Sequence, residues 1–208
     1  MGSMSVDTGS VGAWMADFAE TIHAHADLLT DLDRQIGDAD HGSNMDRGMQ
    51  AVAALIPGDF VDPGAYLKKA GMTLVSTVGG ASGPLYGTLL LRMGGAWPAG
   101  DVGAGEFGVV LQAGYDGILA RGKASEGDKT LVDAFAPALR AYGDTAGEGL
   151  GPALHAAAQA AAAGRDATIP LVARKGRASY LGERSAGHQD PGATSLTLWF
   201  EAAARTLA

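Results

Sequence analysis

The sequence predicts an all-α protein, an antiparallel up-and-down barrel or bundle of eight helices. Eight segments carry apolar residues at spacings of three, four or seven, the period of an amphipathic helix, and no segment shows the alternation of a strand. The 32 glycines cluster in the connections between these segments. Short connections between long helices favour antiparallel neighbours, which gives the barrel or bundle.

The first four helices are predicted from their apolar stripes and their ends. The first carries one stripe over residues 14–36, and the second covers residues 44–56 and stops before Pro57. The third starts near Pro63, because proline is favoured at the first position of a helix, and its stripe extends to residue 78. The fourth begins after Ser82 and extends to residue 93.

The last four helices are predicted over 107–119, 131–142, 154–163 and 193–207. Before the eighth lies the longest polar stretch of the chain, from Arg174 to Gly192, which joins many glycines to a cluster of Arg and Lys. Long loops without structure of their own are uncommon in compact domains and often form lids or binding loops. We therefore expect this segment to be functional.

Size and composition indicate one globular domain. The chain has 208 residues, of which 47% are hydrophobic and 18% charged. We expect a tag remnant or flexible N-terminus over residues 1–10, since Met1-Gly2-Ser3-Met4 resembles a cloning scar, and a single helical domain over 11–208. No apolar stretch is long enough for a transmembrane helix, and the absence of cysteine makes a cytoplasmic location the default expectation.

The net charge of −8 argues against direct nucleic-acid binding, which needs a basic face for the phosphates. A phosphate-containing ligand would have to be attracted locally instead. Metal ions and the N-termini of helices are the two local devices that can do this in an acidic protein.

The most informative segment follows the first predicted helix and contains Asp33, Asp38 and Asp40. Three converging carboxylates repel one another unless a cation lies between them, and hard oxygen ligands select Mg²⁺. The next helix opens with Ser43-Asn44-Met45-Asp46, which we interpret as a capping box, and such a helix start is a good seat for phosphates. The alternative is an acidic solvated turn, and the residue types alone leave both interpretations open.

Two other polar turns precede helices. The glycine-rich turn at 79–84 has Ser82 as a plausible N-cap and small residues that let backbone N–H groups approach a ligand, although an ordinary tight turn explains it equally well. The turn at 122–130 is charged, and we expect its charged side chains to be solvated.

Four long segments in this order resemble the L subunit of dihydroxyacetone kinase, which is equally the C-terminal nucleotide domain of the single-chain ATP-dependent kinases. They are LDRQIGDADHGSNMDRG, GMTLVSTVGGASGPLYGT, RGKASEGDKTLVDAFAP and RKGRASYLGERSAGHQDPGATS. The resemblance runs from about Trp14 to the C-terminus. It implies an eight-helix antiparallel barrel that binds ADP or ATP at one end through two Mg²⁺ ions, so that residues 11–208 form a nucleotide-binding domain.

The resemblance also implies a set of site residues. Asp33, Asp38 and Asp40 would bind the metal ions, and Arg177 would be the catalytic residue. The nucleotide would be contacted by a larger set drawn from four segments, namely His41, Gly42, Ser43, Asn44, Ala81, Ser82, Gly122, Leu131, Arg177, Asp190, Pro191 and Gly192.

The activity implied by the resemblance is that of a phosphotransferase subunit that is inactive alone. An M-type partner carrying a phosphohistidine would convert bound ADP to ATP, and a K-type subunit that holds dihydroxyacetone would receive the phosphoryl group. Two alternatives remain: an L-type subunit of an ATP-dependent kinase for another ketose, and a nucleotide-state sensor that binds a transcription regulator. We also expect a homodimer.

Overall fold

The computed structural model describes residues 5–208, and within this range the protein is all-α, as predicted. This part of the chain forms nine α-helices and three short 3-10 helices. The α-helices are α1 (Thr8–Ala24), α2 (Ala26–Ile36), α3 (His41–Ala53), α4 (Pro63–Thr77), α5 (Ser82–Gly95), α6 (Ala104–Gly122), α7 (Val132–Thr145), α8 (Leu150–Ala167) and α9 (Pro191–Thr206). The 3-10 helices are Pro57–Asp59, Ala146–Glu148 and Arg177–Ser185.

The count is nine rather than the predicted eight because the first predicted helix is divided at His25. The backbone of His25 leaves the helical region (φ −109°, ψ 9°), and its ring Nδ1 lies 2.8 Å from the carbonyl oxygen of Thr21. The apolar stripe continues across the break, with Ile22 and Leu29 both fully buried. Periodicity therefore gave no sign of the division.

The helical domain begins closer to the N-terminus than predicted. The Asp7 carboxylate accepts a hydrogen bond from Ser10 N at 2.8 Å and so caps α1, which begins at Thr8. Val6 is buried, and its N–H donates to the carbonyl oxygen of Val102 at 3.1 Å. Residues 5–10, which we expected to be flexible, are therefore part of the domain, and the predicted tag remnant at 1–4 lies outside the described residues.

The helices form a closed ring. Going round it, α1 packs on α3, each helix from α3 to α8 packs on the next, and α9 packs back on α1. The pair α4 and α5 is antiparallel: Gly71 lies against the carbonyl oxygen of Gly87, and Gly64, earlier in α4, lies against that of Gly94, later in α5. In each case an added Cβ would come within 2.8 Å of that oxygen, so glycine is needed for this close packing. The ring is the predicted barrel.

Aromatic side chains fill the interior of the ring. The rings of Trp14 and Trp199 lie 4.5 Å apart between centroids, and Trp14 Nε1 donates to the carbonyl oxygen of Trp199 at 3.1 Å. Phe107 and Phe135 pack on the same pair. Most residues of α9 are buried, so its N-terminus is held firmly at one end of the barrel. None of the helices in the described range is long and apolar enough to cross a membrane.

Candidate functional site

One end of the barrel gathers the N-termini of four helices. Since neighbouring helices run antiparallel, α3, α5, α7 and α9 all begin at the same end, and residues at or next to each start line one cavity. The C-terminal turn of α2 and the 3-10 helix at Arg177–Ser185 complete its wall. Unpaired N–H groups and the helix dipoles make such an end attractive to anions, phosphates above all.

The three predicted aspartates come together in this cavity. One carboxylate oxygen from each of Asp33, Asp38 and Asp40 lies within 4.8 Å of the others. Asp33 is in the last turn of α2, whereas Asp38 and Asp40 are in the following turn, as predicted. Gly37 is required between them, because a Cβ there would come 2.0 Å from Asp33 Oδ1.

Asp33 also organises the start of α3. Its Oδ2 accepts hydrogen bonds from the backbone N of Asp40 at 2.8 Å and of His41 at 3.1 Å. The predicted capping box at Ser43 is wrong: α3 begins at His41, and Ser43 Oγ donates to the carbonyl oxygen of Asp40. The N–H groups at the true start of α3 are therefore held by a side chain from the preceding helix, and Ser43 lies inside the first turn of α3.

The cluster of three carboxylates carries a net negative charge. Burial raises the pKa of Asp40, and the neighbouring carboxylates of Asp38 and Asp33 raise it further. The guanidinium of Arg177 pairs with Asp38, with Nε 2.9 Å from Oδ2. One guanidinium beside three carboxylates leaves a net negative cluster made of hard oxygen donors, so the residues present fit Mg²⁺.

His41 links three of the converging helix ends. Its Nδ1 lies 2.9 Å from Ser82 Oγ at the start of α5, and its Nε2 lies 2.9 Å from Ser195 Oγ in α9. The hydroxyl of Tyr86 lies 2.7 Å from the same Ser195 Oγ. Burial lowers the pKa of His41 to about 4, so the ring is neutral near pH 7. Ser82 is the first residue of α5 rather than its N-cap, which is Ala81.

Asp190 caps α9 inside the cavity. Its Oδ2 accepts a hydrogen bond from Ala193 N at 2.7 Å, and its own N–H donates to Thr168 Oγ1 at 3.0 Å. Burial raises the pKa of Asp190 to about 7. Pro191 and Gly192, which follow it in the first turn of α9, also line the cavity.

A second, apolar cavity of about 450 Å³ adjoins the first. Ala81, Leu85 and Leu131 line both cavities, and the second also includes Pro84, Ile118 and Gly122. Its volume lies in the range of small-molecule pockets, and its apolar walls fit a flat aromatic group better than a charged one. The two cavities together offer a polar end with carboxylates and helix starts, and an apolar end.

Three of the residues predicted to contact the nucleotide do not line either cavity. Gly42, Ser43 and Asn44 follow His41 in the first turn of α3 and are not among the residues that line the cavities. The place of Gly42 has a packing reason: a Cβ there would come 2.0 Å from the carbonyl oxygen of Ala26, so only glycine lets α3 approach α2 this closely. The Asn44 side chain accepts a hydrogen bond from Arg47 Nη2 at 2.6 Å.

The segment from Arg174 to Gly192 has more structure than predicted. Arg177–Ser185 forms a 3-10 helix with a kink at Gly182, where φ is 55°. Ala173, Ala178 and Leu181 pack on Ile36 of α2, which brings Arg177 to the aspartates. Tyr180, in the same 3-10 helix, is 87% exposed.

Sequence reasoning missed Lys129. We expected the charged side chains at 122–130 to be solvated, but Lys129 lines the cavity and is 1% exposed. Lysine is among the residues least often buried, so its type gave the opposite signal. Its left-handed backbone (φ 63°) is a conformation that sequence alone assigns to glycine or asparagine.

The comparisons with known proteins agree with the resemblance found in the sequence. The DAK2 domain family matches residues 35–205. The chain is 44% identical to the "PEP-dependent dihydroxyacetone kinase, ADP-binding subunit DhaL" of Escherichia coli over 93% of this chain and 94% of that protein. It is 40% identical to the "L-erythrulose 1-kinase" of Mycolicibacterium smegmatis over 82% of this chain but only 31% of that protein.

Among solved structures, the chain is similar to the dihydroxyacetone kinase of C. freundii in complex with AMP-PNP and Mg²⁺. The TM-score is 0.74 at 25% sequence identity, and the match covers 98% of this chain and 35% of that chain. The native form of the same kinase gives a TM-score of 0.75. Because the family match covers most of its residues and the Escherichia coli relative aligns over 94% of its own length, this chain belongs to the DAK2 domain family.

Proposed function

We propose that this chain is the ADP/ATP-binding subunit of a dihydroxyacetone kinase of the phosphoenolpyruvate-linked type. The observation that carries the proposal is the convergence of three carboxylates with four helix N-termini beside an apolar cavity. This combination suits a nucleotide, whose phosphates need cations and N–H donors and whose base needs an apolar pocket. The relatives whose names describe an ADP-binding subunit, 44% and 43% identical, support the same role.

The phosphates would lie in the first, polar cavity and the base in the second, apolar cavity. Asp33, Asp38 and Asp40 would hold two Mg²⁺ ions at the polar end, which would neutralise the phosphate oxygens. The starts of α5 and α9 would direct backbone N–H groups at the phosphates, whereas the N–H groups of Asp40 and His41 at the start of α3 already donate to Asp33. Gly122 and Leu131 would border the base or ribose at the apolar end.

Arg177 is the proposed catalytic residue. Phosphoryl transfer needs positioning and charge stabilisation more than covalent chemistry from the protein. The Arg177 guanidinium is paired with Asp38 in an exposed ion pair, and such pairs contribute little to stability. Its guanidinium is therefore free to leave Asp38 and to donate to phosphate oxygens at small cost.

The chain would act as a relay between two partners. An M-type subunit with a phosphohistidine would load the bound ADP, and a K-type subunit would present dihydroxyacetone for transfer. In this scheme the nucleotide remains bound as a cofactor. The expected homodimer and the role of nucleotide-state sensor stay predictions.

The division of labour can be tested with purified components. The chain incubated with Mg²⁺, ATP and dihydroxyacetone should form no dihydroxyacetone phosphate, and adding a K-type subunit should start the reaction. Asp38→Ala should prevent it, whereas Asp101→Ala, an exposed position outside both cavities, should not. Product formation by the isolated chain would refute the subunit role.

A kinase for another ketose is the second candidate. Relatives named for L-erythrulose and D-erythrulose align with this chain over only 31% and 37% of their own lengths, so we propose that their remaining residues select the sugar. A competition assay with dihydroxyacetone and erythrulose, using the K-type partner from the same source, distinguishes the two candidates.

A further inference from the structure

The side chain of Lys129 is buried against backbone carbonyl groups. Its Nζ donates to the carbonyl oxygens of His188 at 2.5 Å, Thr168 at 2.9 Å and Leu171 at 3.1 Å. A lysine ammonium has three N–H donors, so these three acceptors use all of them. The carbonyl oxygen of Ile169 lies further away at 3.4 Å. Lys129 therefore has no donor left for a ligand in the cavity.

The turn before α7 aims this side chain inward. The backbone of Lys129 is left-handed (φ 63°), and so is that of Gly127 (φ 88°). The Asp133 carboxylate holds the turn by accepting from Gly127 N at 2.5 Å and Thr130 N at 2.8 Å. A left-handed lysine is uncommon, and it persists where the surrounding contacts impose it.

The three carbonyl groups come from both ends of one segment, residues 168–190. Thr168 and Leu171 stand at its start, and His188 stands near its end. A second contact ties this segment to the same turn a few residues after its start, where Arg174 N donates to the carbonyl oxygen of Asp128 at 3.0 Å. The segment carries Arg177 and ends at Asp190, so its position fixes one wall of the cavity.

We infer that Lys129 is a positioning residue that fastens the segment 168–190 as the wall of the nucleotide cavity. It acts through the segment and not by contact with the nucleotide. One ammonium joins the start of the segment to its end, which a neutral side chain of the same length would not do. The effect on nucleotide binding rests on the function proposed above, whereas the effect on the order of the segment does not.

The chain contains no cysteine, so a single cysteine introduced at position 129 can be alkylated selectively. The choice of reagent then removes or restores the positive charge of Lys129 at one atom. Because position 129 is buried, Lys129→Cys is alkylated in urea and then refolded. Alkylation with 2-bromoethylamine restores an ammonium at nearly the length of lysine, and alkylation with 1-bromopropane gives a neutral side chain of similar length. Lys69→Met, at an exposed position on α4, is the control for loss of a lysine charge.

Hydrogen exchange in the nucleotide-free protein is the first measurement. The propylated protein should exchange the amides of 168–190 roughly tenfold faster or more than wild type, since buried carbonyl groups lose their donors. The aminoethylated protein and Lys69→Met should exchange like wild type. Equal protection of the segment in the propylated and aminoethylated proteins would overturn the inference.

Affinity for ADP with Mg²⁺ is the second measurement. We expect it to fall with propylation and to recover with aminoethylation, which a role in packing alone would not produce. If wild type binds no ADP, the proposed function fails, but the exchange experiment still decides the role of Lys129. If Lys129→Cys does not fold, Lys129→Met replaces the propylated protein, because it removes the ammonium and leaves the carbonyl groups of Thr168, Leu171 and His188 in place. Unchanged exchange of residues 168–190 in that variant would also overturn the inference.

Discussion

The three clustered aspartates differ in what else they hold, so removing them singly should separate metal binding from folding. Asp33 is almost buried and accepts two backbone hydrogen bonds at the start of α3. The Asp38 side chain, 35% exposed, makes one ion pair with Arg177, whose side chain is 66% exposed. Both should be needed for Mg²⁺, but only Asp33 should be needed for the apo fold.

The expected magnitudes follow from these contacts. A hydrogen bond to a charged group contributes about 1.5–3 kcal/mol, and relief of repulsion from Asp38 and Asp40 offsets part of the loss, so Asp33→Ala should lower the free energy of unfolding by about 3 kcal/mol. Asp38→Ala breaks only an exposed pair and should change it by less than about 1 kcal/mol. Asp33→Asn keeps an acceptor oxygen for the two N–H groups, so its stability should lie between these two variants.

Urea unfolding in EDTA without nucleotide measures the stability difference, and isothermal titration with ADP and Mg²⁺ measures binding. All three variants should lose Mg-dependent ADP binding. Equal unfolding free energies for Asp33→Ala and Asp38→Ala would show that Asp33 does not organise the turn. Wild-type affinity for ADP in Asp33→Ala or in Asp38→Ala would refute the assignment of the metal ligands.

Three further predictions test other parts of the site and the barrel. Arg177→Ala should weaken ADP binding or slow phosphoryl transfer by about tenfold, because charge-assisted bonds to phosphate are strong, and Arg174→Ala should do so by much less. Titration with ADP and the reconstituted kinase assay measure the two effects. Equal effects of the two substitutions would contradict the role of Arg177. Burial raises the pKa of Asp190 from 3.8 to about 7, so its contribution to the free energy of unfolding falls as the pH rises between these values. Asp190→Asn should remove this part of the pH dependence, measured by urea unfolding at pH 5 and pH 8. An unchanged difference in stability between the two pH values would contradict the prediction. Gly42→Ala places a Cβ 2.0 Å from a backbone oxygen of α2 and should lower the free energy of unfolding by about 1–3 kcal/mol. The Cβ of Gly143→Ala meets open space, so this variant should raise it by about 0.5–1 kcal/mol in the same assay. A change of the same sign in both variants would refute the packing argument.

The sequence predicted the helices and the aspartate cluster because both depend on local pattern. Apolar periodicity located every main helix, and the end of the stripe at Ile36 placed Asp38 and Asp40 in a turn with Asp33 one turn back. The break at His25 was missed because the stripe continues through it. Local signals thus predicted which elements form, but not where a helix bends without losing its buried face.

The rest of the site depends on contacts between distant residues. Ser43 has the residue type and spacing of a capping box, yet Asp33, from the helix before it, takes that role through a chain reversal that local pattern does not show. Lys129 looked like a solvated charge because its carbonyl partners lie at least 39 residues away. The resemblance to a family supplied the role of Arg177, which residue type alone did not distinguish from Arg174 or Arg184.

Native mass spectrometry of the purified protein, incubated with ADP and Mg²⁺ and then desalted, tests the central claim most directly. Wild type should carry the added mass of ADP with magnesium, and Asp38→Ala, folded to the same stability, should carry neither. A wild-type protein that emerges without nucleotide, or an Asp38→Ala protein that retains ADP and magnesium in full, would contradict a nucleotide site built on these carboxylates.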